Sequence, residues 1–220
     1  MKQWIKIERI PGVLATAYEK ATRMAIESYY RPMADEIVAS KAEGTILDLG
    51  TGPGYLPIEM ARRSPSIRII GIDLSPKLIH MARVNAAQAG FSDRLMFQVG
   101  NAARLQFDEN VFDMVMSTGM LHSLKDPVTA VTEIYRVLKK GGEAWIYDPA
   151  KVASQIDRKK WRASLNARER FFLWGFGLFG LHKPIKTYEP DQIRAMIETT
   201  QFTNYDIDKV KDEIKIKLWK

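Results

Sequence analysis

The sequence contains no cysteine among its 220 residues. This absence excludes disulfide bonds, thiolate metal ligands and covalent catalysis by a cysteine nucleophile. Long apolar runs are also missing, since the longest, at residues 171–181, falls well short of the roughly 20 residues that a membrane-spanning helix needs. The N-terminus lacks the apolar core of a signal peptide. We therefore expect a cytoplasmic protein without a transmembrane segment, and we predict no metal site.

Positive charge is present in excess, with 33 lysines and arginines against 26 aspartates and glutamates and a formal net charge of +7. Such an excess suits a polyanionic partner such as RNA, or an anionic membrane surface. The basic residues are scattered along the chain as well as clustered. An ordinary solvated surface explains the charge better, so nucleic acid is not the expected partner. Peripheral contact with a membrane stays open.

The length and composition suit one globular domain, predicted to span residues 1–220. Between residues 45 and 147, short apolar runs alternate with helical patterns, which is typical of βαβ units and a parallel sheet. Five runs predict strands, at residues 45–49, 67–72, 95–99, 112–117 and 143–147. Two later segments alternate in hydrophobicity and predict a closing hairpin, at residues 202–209 and 214–219.

Capping residues mark where several helices begin and end. Ser75-Pro76 and Asp126-Pro127 each place a capping side chain before a proline that suits the first helical turn. The second of these helices is predicted over residues 127–139, ending in Lys139-Lys140-Gly141-Gly142, which combines cations with a glycine cap. A last helix is predicted over residues 191–200.

Two flanking segments are predicted to cover the sheet or a ligand. The helical pattern over residues 13–42 predicts a helical cover at residues 1–43. Residues 149–188 form a predicted insert that combines a basic run with the aromatic run at residues 171–181. This insert would act as an apolar lid over a substrate, as an ordinary helical pair, or as a docking site for anionic lipid or RNA. The sequence leaves these three alternatives open.

The first strand ends in Asp48 and leads directly into three alternating glycines, Gly50, Gly52 and Gly54. Glycine allows the backbone to turn tightly and to approach a ligand closely. Tyr55 stands where the dinucleotide fingerprint G-x-G-x-x-G requires its last glycine. This substitution disfavours NAD and favours a different nucleoside ligand.

Polar residues also follow the next three strands. About twenty residues after the glycine turn, Asp73 and Leu74 end the second strand, where a carboxylate can accept hydrogen bonds from both ribose hydroxyls. Asn101 and Ala102 follow the third strand, and the amide of Asn101 can bind an adenine edge. The fourth strand ends near Ser117. Because ligands of open α/β sheets bind at the carboxyl ends of strands, these turns predict one nucleoside site.

Residues 46–54, 71–74, 100–102 and 112–122 together resemble the motifs of class I S-adenosylmethionine-dependent methyltransferases, and residues 133–142 resemble their quinone-biosynthesis-type branch. The resemblance implies a doubly wound, Rossmann-like α/β fold with a seven-stranded sheet, mostly parallel with an antiparallel last strand. It also implies that S-adenosyl-L-methionine is the methyl donor and S-adenosyl-L-homocysteine the product. The implied cofactor-binding residues are Asp48, Gly50, Thr51, Gly52, Gly54, Asp73, Leu74, Asn101, Ala102 and Ser117.

Within this resemblance, Asp48 would hold the glycine turn and face the cofactor's ammonium group, directly or through water. The glycines would surround the methionine end, and Asp73 would bind the ribose. The family often has an aspartate where this chain has Asn101. The amide still offers a carbonyl acceptor, so we expect binding, although weaker.

His122 is the one histidine beside the end of the fourth strand. Its neutral imidazole can take a proton from a substrate, so His122 is the candidate general base or substrate ligand. Alternatively, it packs beneath Asp126-Pro127. Alignment of two reactants contributes roughly 7–11 kcal/mol and a base roughly 3–5 kcal/mol, so transfer can proceed by alignment alone.

Residues 117–120 read Ser-Thr-Gly-Met and lack the Asn/Asp-Pro-Pro-aromatic sequence of enzymes that methylate amino nitrogens of bases. We therefore predict methylation of oxygen, carbon or sulfur on a small molecule. The alternatives are an RNA methyltransferase, suggested by charge alone, and a catalytically inactive nucleoside-binding protein of the same fold. The sequence does not indicate an oligomeric state.

Overall fold

The computed structural model describes residues 8–148, 163, 164, 166, 167, 188–210 and 213–220. Seven strands form one sheet. The strands are β1 (Gly44–Leu49), β2 (Ile67–Asp73), β3 (Leu95–Val99), β4 (Phe112–Thr118), β5 (Leu138–Asp148), β6 (Asn204–Val210) and β7 (Glu213–Trp219).

The sheet has the order β3-β2-β1-β4-β5-β7-β6. The first five strands pair in parallel, and β7 lies between β5 and β6 and runs antiparallel to both. The predicted α/β fold, with a mostly parallel sheet and an antiparallel last strand, is confirmed. The strand order changes direction between β1 and β4, because the connections from these two strands lead to opposite sides of the sheet. This arrangement creates a crevice at the carboxyl ends of β1 and β4.

Helices cover both faces of the sheet. They are α1 (Ala15–Met24), a π-helix (Ile26–Tyr30), α2 (Arg31–Ser40), α3 (Tyr55–Arg63), α4 (Pro76–Gln88), a 3₁₀-helix (Leu121–Ser123), α5 (Pro127–Val137) and α6 (Pro190–Ile197). The two predicted caps are confirmed: Ser75 accepts the Leu78 N–H at 3.5 Å, and Asp126 accepts the Thr129 N–H at 3.0 Å.

Helix boundaries differ from the predictions at several points. Helix α5 was predicted to reach residue 139, but it ends at Val137 because Leu138 already pairs with Phe112 in the sheet. Lys139 then binds Asp113 at 2.9 Å instead of capping a helix. Helix α6 ends at Ile197 rather than at residue 200. The helical pattern over residues 13–42 is divided by the π-helix, in which the Tyr30 N–H reaches back to the Ala25 carbonyl at 3.2 Å.

Two apolar clusters lie on opposite faces of the sheet. One packs helices α2, α3 and α4 against alternate strand residues such as Ile46, Met116 and Trp145. The other packs α5, α6 and the closing strands against Leu49 and Ile146. Because successive strand residues point to opposite faces, strands buried on both sides read as continuous apolar runs. The core therefore holds the carboxyl ends of the parallel strands in fixed positions.

Among the described residues, no helix is both long enough and apolar enough to cross a membrane. Most of residues 149–188 lie outside the described part of the chain, so the insert and its role as a lid remain predictions. One described residue of this segment, Ser164, accepts a hydrogen bond from Lys20 of α1 at 3.0 Å. This contact joins Ser164 to α1.

Replacing Gly71 with alanine is expected to destabilise the fold by about 1–3 kcal/mol, because overpacking a filled core costs this much. A methyl group at this position of β2 would meet the Phe97 ring and the Thr51 hydroxyl, both at 2.6 Å. Urea unfolding measures the change. The matched control is Gly12→Ala, which meets no atom within 4 Å. Equal stabilities for the two variants would contradict the prediction.

Candidate functional site

The turn after β1 is held in a fixed shape by hydrogen bonds from its backbone. Gly50, Gly52 and Gly54 have φ angles of 74°, 55° and 79°, in the left-handed region that favours glycine. The N–H groups of Gly50 and Thr51 both donate to the Ile72 carbonyl at 2.9 Å. These hydrogen bonds attach the turn to the end of β2. Because glycine has no side chain, the backbone of the turn is uncovered at the three glycine positions.

Asp73 connects two loops. Its Oδ2 accepts the Gly52 N–H at 3.1 Å, and its Oδ1 accepts the Ser75 N–H at 2.8 Å. Burial raises the pKa of Asp73, and the two backbone N–H groups oppose that rise. A carboxylate oxygen can accept more than one hydrogen bond, so both oxygens keep acceptor capacity for a ligand. The structure thus brings the predicted Asp73 against the predicted glycine turn.

Asp48 lies beneath the turn and is 2% exposed. Burial raises the pKa of Asp48 to about 7, and the negative charge of Asp73 adds to the rise. The N–H groups of Gly50 and Thr51 donate to Ile72 and that of Gly52 donates to Asp73. The expected role of Asp48 in holding the turn stays a prediction. Oδ1 of Asp48 has no hydrogen-bond partner among the described residues.

Replacing Asp48 with asparagine is expected to stabilise the ligand-free protein above pH 7 and to change its stability little near pH 4. A rise in the pKa of Asp48 from 3.8 to about 7 corresponds to a change of about 4 kcal/mol in the free energy of unfolding. The folded protein retains this proton up to a higher pH than the unfolded chain, so wild-type stability falls between about pH 4 and pH 7. Asparagine cannot ionise and removes that loss.

Urea unfolding of both proteins between pH 4.5 and pH 8 tests this expectation. The matched control is Asp93→Asn, because the Asp93 side chain is 74% exposed. A stability difference between wild type and Asp48→Asn that does not change with pH would contradict the prediction.

Four buried side-chain atoms have no hydrogen-bond partner in the described part of the chain: Asp48 Oδ1, Thr51 Oγ1, Ser117 Oγ and Asp148 Oδ2. Asp48 and Thr51 adjoin the carboxyl end of β1, Ser117 lies near that end of β4, and Asp148 ends β5. Buried polar atoms are almost always paired, so each exception requires an explanation. All four lie at the carboxyl ends of neighbouring parallel strands, the edge at which ligands of open α/β sheets bind.

Two apolar side chains border the glycine turn. A methyl group placed on Gly52 would lie 3.6 Å from the Tyr18 ring, and one placed on Gly50 would lie 3.3 Å from Met120. Burial raises the pKa of Tyr18 to about 12, with smaller contributions from Asp73 and Asp48, so the phenol stays neutral. Tyr18 belongs to α1, and Met120 follows β4. The turn therefore lies between the N-terminal helix and the fourth strand.

Tyr55 attaches helix α1 to helix α3. Its hydroxyl donates to the buried Glu19 carboxylate, and Nε of Arg23 donates to the same hydroxyl at 3.1 Å. Arg23 also donates to Glu19 through Nε at 2.8 Å. Tyr55, which stands in place of the last glycine of the dinucleotide fingerprint, therefore fixes the position of α1, the helix that contains Tyr18.

His122 lies on the 3₁₀-helix after β4 and contacts the end of β5. Its Nδ1 lies 2.7 Å from Oδ1 of Asp148. The His122 side chain is 17% exposed and that of Asp148 is 1% exposed. The Gly119 N–H donates to the Tyr147 carbonyl at 2.8 Å and fastens this loop to β5. A histidine held in this way can accept or donate a proton at its second ring nitrogen.

The third predicted turn is more open. Asn101 is exposed, and its side-chain oxygen accepts the Ala103 N–H at 2.9 Å. This bond leaves one further acceptor position on the oxygen. Ala102 is 5% exposed, and Leu74 is half-buried directly after Asp73. A role for these three residues in ligand binding remains a prediction.

Three residues near the turn, Tyr18, Met120 and Asp148, were not predicted from the sequence as site residues. Asp148 carried a usable signal, because an aspartate at the end of a buried parallel strand matches the pattern of Asp48 and Asp73. Tyr18 and Met120 had no comparable signal. The positions of Tyr18 and Met120 beside the glycine turn depend on how α1 and the loop after β4 pack over the sheet.

Residues 40–201 match the model of a family described as "Methyltransferase domain". The ubiquinone/menaquinone biosynthesis C-methyltransferase UbiE of Geobacter sp. (strain M21) is 29% identical over 147 residues, which cover 65% of this chain and 63% of that protein. The demethylmenaquinone methyltransferase of Lactiplantibacillus plantarum is 33% identical over 132 residues, covering 59% of this chain and 54% of that protein. The chain thus matches less than two thirds of the length of these relatives.

A crystal structure from Methanococcus maripaludis, of a proposed S-adenosyl-L-methionine-dependent methyltransferase, superposes with a TM-score of 0.74 and 23% sequence identity. The alignment covers 100% of this chain and 97% of that one. Similarity at this level of identity supports the fold. It does not by itself identify the chemistry at the carboxyl ends of the strands.

Proposed function

Because the chain belongs to the methyltransferase-domain family, we propose that it transfers a methyl group from S-adenosyl-L-methionine to a small-molecule acceptor. The observation that carries this proposal is the group of four unpartnered buried atoms around the glycine turn and the ends of β4 and β5. They fit a ligand with charged and hydroxyl groups, and the turn permits its close approach. Transfer to a small molecule matches the names of the two relatives.

The residues at the turn fit the parts of S-adenosyl-L-methionine. Oxygens of Asp73 retain acceptor capacity for the ribose hydroxyls. Buried Asp48, with its free Oδ1, suits a positively charged group, and such a charge would favour its ionised form. When bound, the cofactor would supply an electrophilic methyl group on a positively charged sulfur. The apolar side chains of Tyr18 and Met120 would exclude water beside the turn.

A reduced quinone is the proposed class of acceptor. Both relatives are named for quinone methylation, and one is named a C-methyltransferase. A ring carbon must be electron-rich to take an electrophilic methyl group, and a hydroquinone ring is far richer in electrons than a quinone ring. The acceptor must also lose a proton, and His122 beside β4 would receive it as general base. This proposal narrows the predicted choice of oxygen, carbon or sulfur to carbon.

Incubation with methyl-labelled S-adenosyl-L-methionine and a chemically reduced, short-chain demethylmenaquinone tests the proposal. We expect S-adenosyl-L-homocysteine and a labelled, C-methylated naphthohydroquinone. The unreduced quinone serves as the control and should gain no label. A metabolite extract and an RNA fraction are tested in parallel.

Three results would contradict the proposal in different ways. Cofactor binding without turnover on any acceptor would favour the inactive nucleoside-binding protein. Label appearing in RNA alone would favour the RNA methyltransferase. Failure to bind S-adenosyl-L-methionine would refute the assignment of the site itself.

A further inference from the structure

We propose that Asp148 is a positioning residue that fixes the protonation pattern of His122, an inference that rests on the proposed function. The two side chains come from separate elements, with His122 on the 3₁₀-helix after β4 and Asp148 at the end of β5. Their facing atoms, Nδ1 and Oδ1, lie 2.7 Å apart. This distance is short enough for a strong hydrogen bond to a carboxylate.

The chemistry of the pair determines which nitrogen carries the proton. An ionised carboxylate can only accept hydrogen bonds, so Nδ1 of His122 must be the donor. A neutral imidazole carries one N–H, and Nε2 then presents a lone pair. Nε2 makes no hydrogen bond to a described residue, and the side chain keeps 17% of its surface exposed. Of the two ring nitrogens, Nε2 is therefore the one whose lone pair remains for a substrate proton.

Burial of Asp148 indicates a role beyond packing. Its side chain is 1% exposed, and Oδ2 has no hydrogen-bond partner in the part of the chain that the structure describes. An ionised group that is taken out of water with only half of its acceptors satisfied costs stability. If the contact only joined the two elements, the oxygen of a neutral amide would accept the Nδ1 proton as well. The burial of a carboxylate at this position is explained if positive charge forms on the His122 ring during the reaction.

The proton balance of the reaction supplies that positive charge. An acceptor that gains a methyl group in exchange for hydrogen releases one proton. Nε2 of His122 takes this proton with its lone pair, and the ring becomes an imidazolium with both nitrogens protonated. Nδ1 keeps its hydrogen bond to Asp148, whose negative charge lies 2.7 Å away and stabilises the cation. The proton then leaves Nε2 for solvent, which restores the starting state.

Nitrogen NMR of the ¹⁵N-histidine-labelled 220-residue protein tests this inference without cofactor or acceptor. The chain has 3 histidines, so the spectrum is simple. The signal that disappears in His122→Gln is His122, and the exposed His80 serves as an internal reference. At pH 8 we expect the proton on Nδ1 in wild type and a shift of population toward Nε2 in Asp148→Ala. A proton on Nε2 in the wild-type protein would overturn the proposal.

Kinetics with the reduced, short-chain demethylmenaquinone provides the second readout. Asp148→Ala and the isosteric Asp148→Asn should lower kcat by roughly 10²- to 10⁴-fold, the contribution of a general base. Cofactor affinity should change less than threefold. Adding Asp148→Asn to His122→Ala should cause no further loss, because Asp148 acts through the ring. Unchanged kcat in both single variants, or a further loss in the double variant, would overturn the inference.

The two readouts separate this inference from the proposed function. A wild-type protein that methylates no acceptor would refute the proposed function, and the position of the proton on His122 would still decide the role of Asp148. Conversely, an active enzyme with the proton on Nε2 of His122 would retain the proposed function and remove Asp148 from it.

Discussion

Replacing Asp73 with alanine is expected to weaken S-adenosyl-L-methionine binding by about 10²- to 10⁴-fold. Hydrogen bonds to a charged group contribute about 1.5–3 kcal/mol each, and two ribose hydroxyls would lose theirs. The substitution also removes the acceptor of the Gly52 N–H, so the glycine turn loses its attachment to the end of β2. Loss of the ribose contact and loss of the turn geometry would therefore both lower the affinity for the cofactor. Isothermal titration calorimetry measures the effect.

Two further variants separate these causes. Asp73→Asn keeps one carbonyl acceptor and is expected to lose less affinity than Asp73→Ala. The control Asp93→Ala removes an exposed aspartate from the surface and should bind like wild type. Circular dichroism and urea unfolding verify that each variant is folded. An affinity for Asp73→Ala within threefold of wild type would refute the proposed placement of the ribose.

Replacing His122 with alanine is expected to lower kcat by roughly 10²- to 10⁴-fold with the reduced demethylmenaquinone as acceptor. The imidazole is proposed to receive the proton that the acceptor loses, and no other histidine lies in the described part of this site. Cofactor affinity should stay near that of wild type, because Asp48 and Asp73 are proposed to bind the cofactor. Steady-state rates at saturating cofactor measure the change.

His80→Ala is the matched control, because His80 lies exposed on α4. It should retain the wild-type rate. If His122→Ala retained the rate as well, alignment of the two reactants would account for catalysis and the general base would be eliminated. A fall in cofactor affinity that equalled the fall in rate would instead assign His122 to binding.

Strands and strand-end turns were predictable because their signals are local. Each buried parallel strand reads as an apolar run, and the residues that follow it occupy the same edge of the sheet. Asp48, Asp73 and Ser117 were placed correctly relative to the strands for this reason. Two caps, at Ser75 and Asp126, were equally local and are confirmed.

Features that depend on distant partners could not be predicted. Helix α5 contains a sequence that favours helix to residue 139, but Leu138 finds a strand partner in Phe112, and tertiary pairing overrides propensity. The contact between His122 and Asp148 joins residues 26 positions apart. It exists because the loop after β4 is fastened to β5, and neither segment alone specifies that arrangement.

The unpartnered side-chain atoms of Asp48, Thr51 and Ser117, at the ends of β1 and β4, have a consequence for engineering. An unsatisfied buried polar group costs about 1–3 kcal/mol, so apolar replacements at these positions should make the empty protein more heat-resistant. Selection for thermostability without ligand would therefore enrich substitutions at these three residues and eliminate binding. Selection in the presence of S-adenosyl-L-homocysteine would reverse that preference, because the ligand stabilises only folded chains that can hold it.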